Sequence, residues 1–334
     1  MKLKHLLWLL FILAACSSDL SDSGETALQE IELTTGIGTI TSKTRGNGII
    51  TNDLDTNLPV SFVRVDCPSG GSYPADYLGV SYLDAQIVKA NSNAISFAST
   101  QFYLPDGGES KFISWYPQAT STTTTETTKV IWDAATGKVN FPVIDGSTDI
   151  LVSSTVAGKS SDRITNKVTY EHVLSKIVVS VWAATGDIPV WGTINSIELV
   201  GKAQACVLEL PTPSTAAGGI ATASFSGNAD LPLVKNDNSG VVANVTLTET
   251  STEIGYAMVA PYLSGTDALV LKIDTQNGGT KEVTIDYGEA SDEMKLEAGS
   301  SYNVKLQFKA NSITPTATIA AWEDGEELDP VVVD

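Results

Sequence analysis

After residue 28, apolar and polar residues alternate with a period of two along almost the whole chain, and no long window carries the 3.6-residue period of an amphipathic helix. The pattern predicts an all-β protein. Tyr302, Val304, Leu306 and Phe308 fall on one face of a strand and Asn303, Lys305, Gln307 and Lys309 on the other, so one face is core and the other wet. Leu269, Leu271 and Ile273 alternate likewise. Gln276-Asn277-Gly278-Gly279 then supplies residues that tolerate positive φ before Val283, Ile285 and Tyr287 return, which predicts a hairpin. A further strand is expected through Val241, Ala243, Val245 and Leu247. Another, buried on both faces, carries Ile177, Val179 and Val181 opposite Val178 and Trp182. Residues 130–132 should pair with 139–143 across the turn at 133–137, and the polar, threonine-rich run 119–128 should be an exposed loop. Many short strands punctuated by Gly, Pro, Asn and Asp predict β-sandwiches rather than a parallel sheet.

The first fifteen residues read differently. Lys2 and Lys4 precede an apolar run at 6–15, which would span about 15 Å as a helix, roughly half the hydrocarbon thickness of a bilayer. That is a signal peptide rather than a membrane span. Leu13-Ala14-Ala15-Cys16 resembles a lipobox, in which the cysteine thiol is acylated and the chain is cut just before it. Lipidation at Cys16 would anchor the mature chain stably, since each buried CH₂ contributes about 0.8 kcal/mol. The polar, acidic residues 17–25 are similar to tethers that route lipoproteins to the outer leaflet.

Charge narrows the partners. The full chain carries a net −19, and losing residues 1–15 removes two lysines and no acid. Nucleic acid and anionic membrane surfaces repel such a protein. Roughly 320 mature residues suit two domains, and the polar stretch 158–166 divides the mature chain nearly in half. Cys67 and Cys206 are expected in different domains as small buried residues rather than as a disulfide.

Catalysis needs titratable groups gathered at one point, and the mature chain has a single histidine, His172. One imidazole makes neither a metal site nor a triad, and its place at the start of an apolar strand reads as a hydrogen-bonded ring at a strand end. The chain has no CxxC, HExxH, Walker loop, GxSxG elbow or GxGxxG after a strand. Residues 274–279 lack the alternate acids of a calcium loop and fit a hairpin turn. The acids at strand ends and turns read as solvated surface rather than a glycosidase pair. Trp115, Tyr116 and Trp132 lie beside turns, where exposed rings could stack on sugars, while Trp182 and Trp191 are expected to pack in a core. These observations predict no enzyme, no cofactor and no metal.

Several short motifs in order resemble the fimbrillin family, lipoprotein precursors that polymerise into type V pili. They are the lipobox at Cys16, the pair Thr44-Arg45, the strand end Phe112-Ile-Ser-Trp-Tyr-Pro117, and Asp149-Ile-Leu151. The segment from Tyr170 through His172 and Lys176 to Ile177, Met258-Val-Ala-Pro261, Ala298-Gly299-Ser-Ser-Tyr302 and the run from Ala317 to Trp322 complete the match. The resemblance implies two tandem transthyretin-like, Greek-key β-sandwiches and a scheme of assembly. An N-terminal strand plugs the first sandwich until an arginine-specific protease cuts behind it, and a strand from a neighbouring subunit then fills the groove.

On that resemblance, residues 16–45 hold the tether and the removable strand, with Ile31, Leu33, Ile37 and Ile40 as its plug positions. The cut falls between Arg45 and Gly46, beside the competing basic Lys43. Residues 46–163 and 164–334 form the two sandwiches, and Val331, Val332 and Val333 end a candidate donor tail. The resemblance implies a stalk or tip subunit in the outer membrane, at the cell surface and then in a fimbrium supporting adhesion, with copies of itself or related subunits as partners. The competing reading is a monomeric surface lipoprotein that binds glycan or host protein.

Overall fold

The computed structural model describes residues 28–37, 56–89, 94–122, 126–262, 269–285 and 296–321, and within them the chain is β-structure apart from one short helix. The first half contains β1 (Leu33–Ile37), β2 (Leu58–Cys67), β3 (Tyr82–Val88), β4 (Ala94–Phe97), β5 (Glu109–Tyr116), β6 (Ile131–Asp133) and β7 (Lys138–Phe141), then β8 (Leu151–Ser153), β9 (Val156–Gly158) and β10 (Val168–His172). The second half opens with β11 (Ser175–Ala183), α1 (Ile188–Trp191), β12 (Thr193–Lys202), β13 (Ala205–Glu209), β14 (Thr222–Ser226), β15 (Ala229–Pro232) and β16 (Val245–Thr246). It ends with β17 (Thr252–Val259), β18 (Leu269–Thr275), β19 (Gly279–Ile285), β20 (Ser300–Lys309) and β21 (Ser312–Ala321). No described helix is long and apolar enough to cross a membrane.

In the first half the pairings run β2–β3–β4–β1–β10–β8–β5 and return from β5 to β2, closing seven strands into a ring. β5 spends one edge on β2 and shares the other between β8, at Trp115 and Tyr116, and β9, at residues 110–112. Alternation then gives β5 two dry faces. Phe112 and Ser114 face inward, where Phe62, Phe97 and Phe112 form a cluster with ring centroids 5.1 to 6.4 Å apart. Ile113 and Trp115 face outward beneath a second sheet, β14-β13-β7-β6, and Trp115 stacks on Trp132 at 5.5 Å. Both tryptophans are fully buried, so neither is a platform for sugars; a covering sheet accounts for them instead.

That covering sheet contains a hairpin from the other half of the sequence. β13 pairs with β7, bringing Cys206 opposite Phe141 and Leu208 opposite Val139, so both enter the first core. Of the described residues, Cys67 and Cys206 are free, Cys206 buried and Cys67 only partly so, because Cys67 ends β2 where the strand runs out to the surface.

The second core lies between sheet β17-β11-β20-β21 and sheet β15-β12-β18-β19, with β16 joined to β12. As the alternation requires, Tyr302, Val304, Leu306 and Phe308 are buried in it, facing Leu269, Leu271 and Ile273. Trp191 closes one end, its Nε1 donating to the Lys309 carbonyl at 2.9 Å while its ring meets Phe308 edge-on. β11 and β17 serve both cores: Ile177, Val179, Ala257 and Val259 face the second, and Val178, Tyr256 and Met258 the first. The strand expected from Val241 to Leu247 shrinks to Val245–Thr246. Asn244 has φ 55, a left-handed conformation that interrupts an extended run.

Burial pushes the Cys206 thiol up to about 12, so at pH 8 almost no thiolate forms there in the folded protein. Iodoacetamide at pH 8, applied to protein with Cys16 replaced by serine, is expected to alkylate Cys67 and spare Cys206, and to label both in denaturant. Equal native labelling of the two would contradict this placement.

Candidate functional site

The segment before the first long loop is where sequence pattern and topology meet. From residue 31 the side chains alternate, with Ile31, Leu33 and Thr35 buried and Glu32 and Thr34 exposed. Three stretches of the first half hold this segment. Ile31 N–H donates to the Gln101 carbonyl at 2.8 Å, and Tyr103 N–H to the Gln29 carbonyl at 2.9 Å. Next, Leu33 and Thr34 lie opposite Ile95 and Ala94 of β4 in antiparallel register. Thr35, Gly36 and Ile37 finally run parallel to β10, opposite Val168, Thr169 and Tyr170. β1 is therefore an interior strand whose two edges complete β4 and β10.

Its inward face looks into the phenylalanine cluster. Leu33 stands opposite Ile95, on the same face of β4 as Phe97. Ile31 and Leu33 are 3% and 2% exposed, and burying each such side chain contributes about 1.5 to 3 kcal/mol. Thr35, 1% exposed, donates its hydroxyl to the Val168 carbonyl at 2.8 Å. Arg64 steadies the first of the three stretches, donating from Nη2 to the Phe102 carbonyl and from Nη1 to Gln101 Oε1, with Nε on Asp66 at 2.9 Å.

A chain of buried hydroxyls ties β10 across the ring to β5 and β2. Tyr170 meets Ser114 Oγ at 2.5 Å, and Ser114 Oγ lies 2.8 Å from the Ser61 carbonyl. Ser61 Oγ in turn accepts from Ala119 N–H. Burial drives the Tyr170 hydroxyl far above the ordinary phenol range, so it stays protonated. At the end of β10, His172 Nδ1 is 2.7 Å from Asp149 Oδ2, with the carboxylate fully buried. The histidine is thus a hydrogen-bonded ring at a strand end. On the far side of β5, Lys111 reaches the Pro213 and Thr215 carbonyls and lies 4.1 Å from the Tyr73 ring, pinning the loop between β13 and β14.

Of the residues singled out in the sequence, Ile31 and Leu33 meet in this site, and Ile37 contributes its backbone to β1. Cys16, Ile40, Arg45, Gly46, Val331, Val332 and Val333 lie outside the described residues. Thr35 and the hydroxyl chain are additions of the structure. The period-two count from Ile31 through Leu33 reaches Thr35, which its polar side chain hides. Among the described residues no group of three or more His, Cys, Asp or Glu side chains converges as a metal site. Three surface hollows of about 350, 440 and 450 Å³ lie elsewhere, and none is lined by a residue of β1, β4 or β10.

A family model described as fimbrillin-like matches residues 69–322. No curated protein matches. Among solved structures, a candidate cell adhesion protein from Bacteroides uniformis superposes with a TM-score of 0.58 at 14% identity, covering 89% of this chain and 98% of that one. One from Bacteroides ovatus gives 0.56 at 14% identity, covering 90% and 100%. The tip fimbrial protein Mfa3 from Porphyromonas gingivalis, truncated at its C-terminus, gives 0.42 at 11% identity over 88% and 100%. The first two share this fold.

Replacing Tyr170 by phenylalanine removes the hydroxyl that joins β10 to β5 while Ser114 keeps its bond to Ser61. Tyr170→Phe is expected to cost about 1 kcal/mol in urea denaturation, the net value of one hydrogen bond. An unchanged midpoint would show that the cross-brace carries no stability.

Proposed function

This chain belongs to the fimbrillin-like family, and from that premise we propose that it is a stalk or tip subunit of a type V pilus, assembled by removing β1 and replacing it with a strand from a neighbour. Family membership gives a fimbrial, adhesive role at the cell surface. The observation that carries the finer reading is the place of β1, between β4 and β10 in a ring that no other described strand closes.

On this reading residues 1–15 export the chain and a lipid on Cys16 holds the precursor in the outer membrane. Residues 46–163 and 164–334 form two transthyretin-like, Greek-key sandwiches, with β10 and the hairpin β13–β14 crossing from the second stretch into the first. While β1 stays in place, the edges of β4 and β10 are satisfied and the phenylalanine cluster is covered, so the precursor is monomeric. An arginine-specific protease cuts between Arg45 and Gly46. Loss of β1 uncovers two strand edges and an apolar interior, a state that natural sheets avoid. A strand from another subunit, with Val331, Val332 and Val333 as this chain's own candidate, repairs both defects at once. A subunit with a donor at one place and an acceptor at another makes a heterologous contact that need not close, hence a filament.

The test is assembly after brief trypsin treatment, read by unboiled electrophoresis. Wild type is expected to give a ladder, and Arg45→Ala combined with Lys43→Ala to remain monomeric. Filaments from the doubly substituted protein would refute the mechanism. Cleaved wild type that never polymerises would favour the monomeric surface lipoprotein.

A further inference from the structure

The three inward positions of the leader segment are chemically unequal. Ile31 and Leu33 end in aliphatic carbon within the first core. Thr35 is as deeply buried, 1% exposed, yet it carries a hydroxyl, and that hydroxyl donates to the main-chain carbonyl of Val168 at 2.8 Å. The carbonyl belongs to β10, on the edge that β1 covers: its neighbour Thr169 turns its own carbonyl the other way, to Ser154 N–H. An occupant of this seat with an aliphatic side chain fills the same volume and leaves the Val168 carbonyl without its hydroxyl donor, where solvent cannot replace it. The main chain of any occupant in this register still pairs with that carbonyl, so what is lost is the second hydrogen bond it accepts, and hydroxyl-reading sites disfavour apolar isosteres by the worth of that bond. The outward positions, Glu32 and Thr34, are exposed and impose no comparable demand.

We infer that the groove between β4 and β10 selects its incoming strand by chemistry at three alternate positions: two large aliphatic residues, then a threonine or serine two residues further on. Such a strand lies parallel to β10 and antiparallel to β4, as β1 does. The inference rests on the reading that β1 is replaced by a neighbour's strand. It narrows that neighbour to a subunit presenting an extended aliphatic–x–aliphatic–x–hydroxyl segment. This chain's residues 322–334 contain no serine or threonine, and Val331 and Val333 supply an aliphatic pair alone. A tail of that composition is a poorer occupant, so a subunit of different sequence is the preferred partner over a second copy.

The experiment uses the full chain cut by brief trypsin, with fluorescein-labelled ten-residue peptides competing against the severed leader, read by anisotropy and by mass spectrometry of the displaced fragment. The parent peptide copies residues 28–37, two variants carry Thr35→Ser or Thr35→Val, and a fourth copies residues 325–334. The threonine and serine peptides are expected to bind alike, and the valine peptide about tenfold more weakly despite its equal volume. The 325–334 peptide should fall below the parent by at least as much. Equal affinity for the threonine and valine peptides would overturn the hydroxyl selectivity and leave the groove itself standing. If not even the parent peptide enters, the replacement reading fails along with it.

Discussion

The first half of the molecule depends on one requirement, that the facing edges of β4 and β10 have a strand between them. Main-chain donors and acceptors in a dry interior must be paired, and here the pairing partner is a short segment far from both in sequence. Leu33 and Thr34 complete β4, and Thr35 to Ile37 complete β10. Leu33 and Thr35, with Ile31 just before them, are buried on the side of the interior where Phe62, Phe97 and Phe112 meet. Backbone pairing and apolar burial therefore depend on the same strand, and on the proposed reading they would fail together if it left and be restored together by another. On that reading, the coupling would let a single proteolytic event turn a monomer into an assembling species.

The ring is not free to collapse around the gap, because its other walls are braced. The hydroxyl chain from Tyr170 through Ser114 to Ser61 holds β10 at a fixed distance from β5 and β2. Lys111 and the hairpin β13–β14 fasten residues from the second half over the outer face of β5. β10 is nearly continuous with β11: only Val173 and Leu174 separate them, bonded to the Ile150 carbonyl and from Gly299 N–H respectively. β1 runs parallel to β10, and β20 runs parallel to β11. The second core, closed by Trp191 and Phe308, thus holds β11, the strand that continues from β10.

Much of this was legible in the sequence where one face of a strand is dry and the other wet. Tyr302 to Phe308 and the hairpin from Leu269 to Ile285 follow the alternation directly, since the pattern and the burial have the same cause. Alternation states that a segment is extended and not what it pairs with. Nothing in residues 205–226 indicates that their hairpin joins β7 rather than its own half, and so Cys206 was expected in a different domain from Cys67. Val241 to Leu247 alternates as convincingly as a true strand, but Asn244 takes a left-handed conformation that composition does not reveal. Trp115 and Trp132 sit beside turns in sequence and are sealed in space by the sheet that packs over them. Within the site, Ile31 and Leu33 were readable as apolar alternates. Thr35 was not, because its importance lies in a carbonyl 133 positions away.

The most direct test of the central claim is hydrogen exchange at the amides of β4 and β10, followed through the cut and the loss of the leader. The account predicts strong protection in the precursor, protection lost at these two strands but retained in β11 and β18 once the leader has gone, and protection regained on assembly. Protection of β4 and β10 that persists unchanged after the leader has been physically removed would mean that β1 does not complete the ring, and the account would fail.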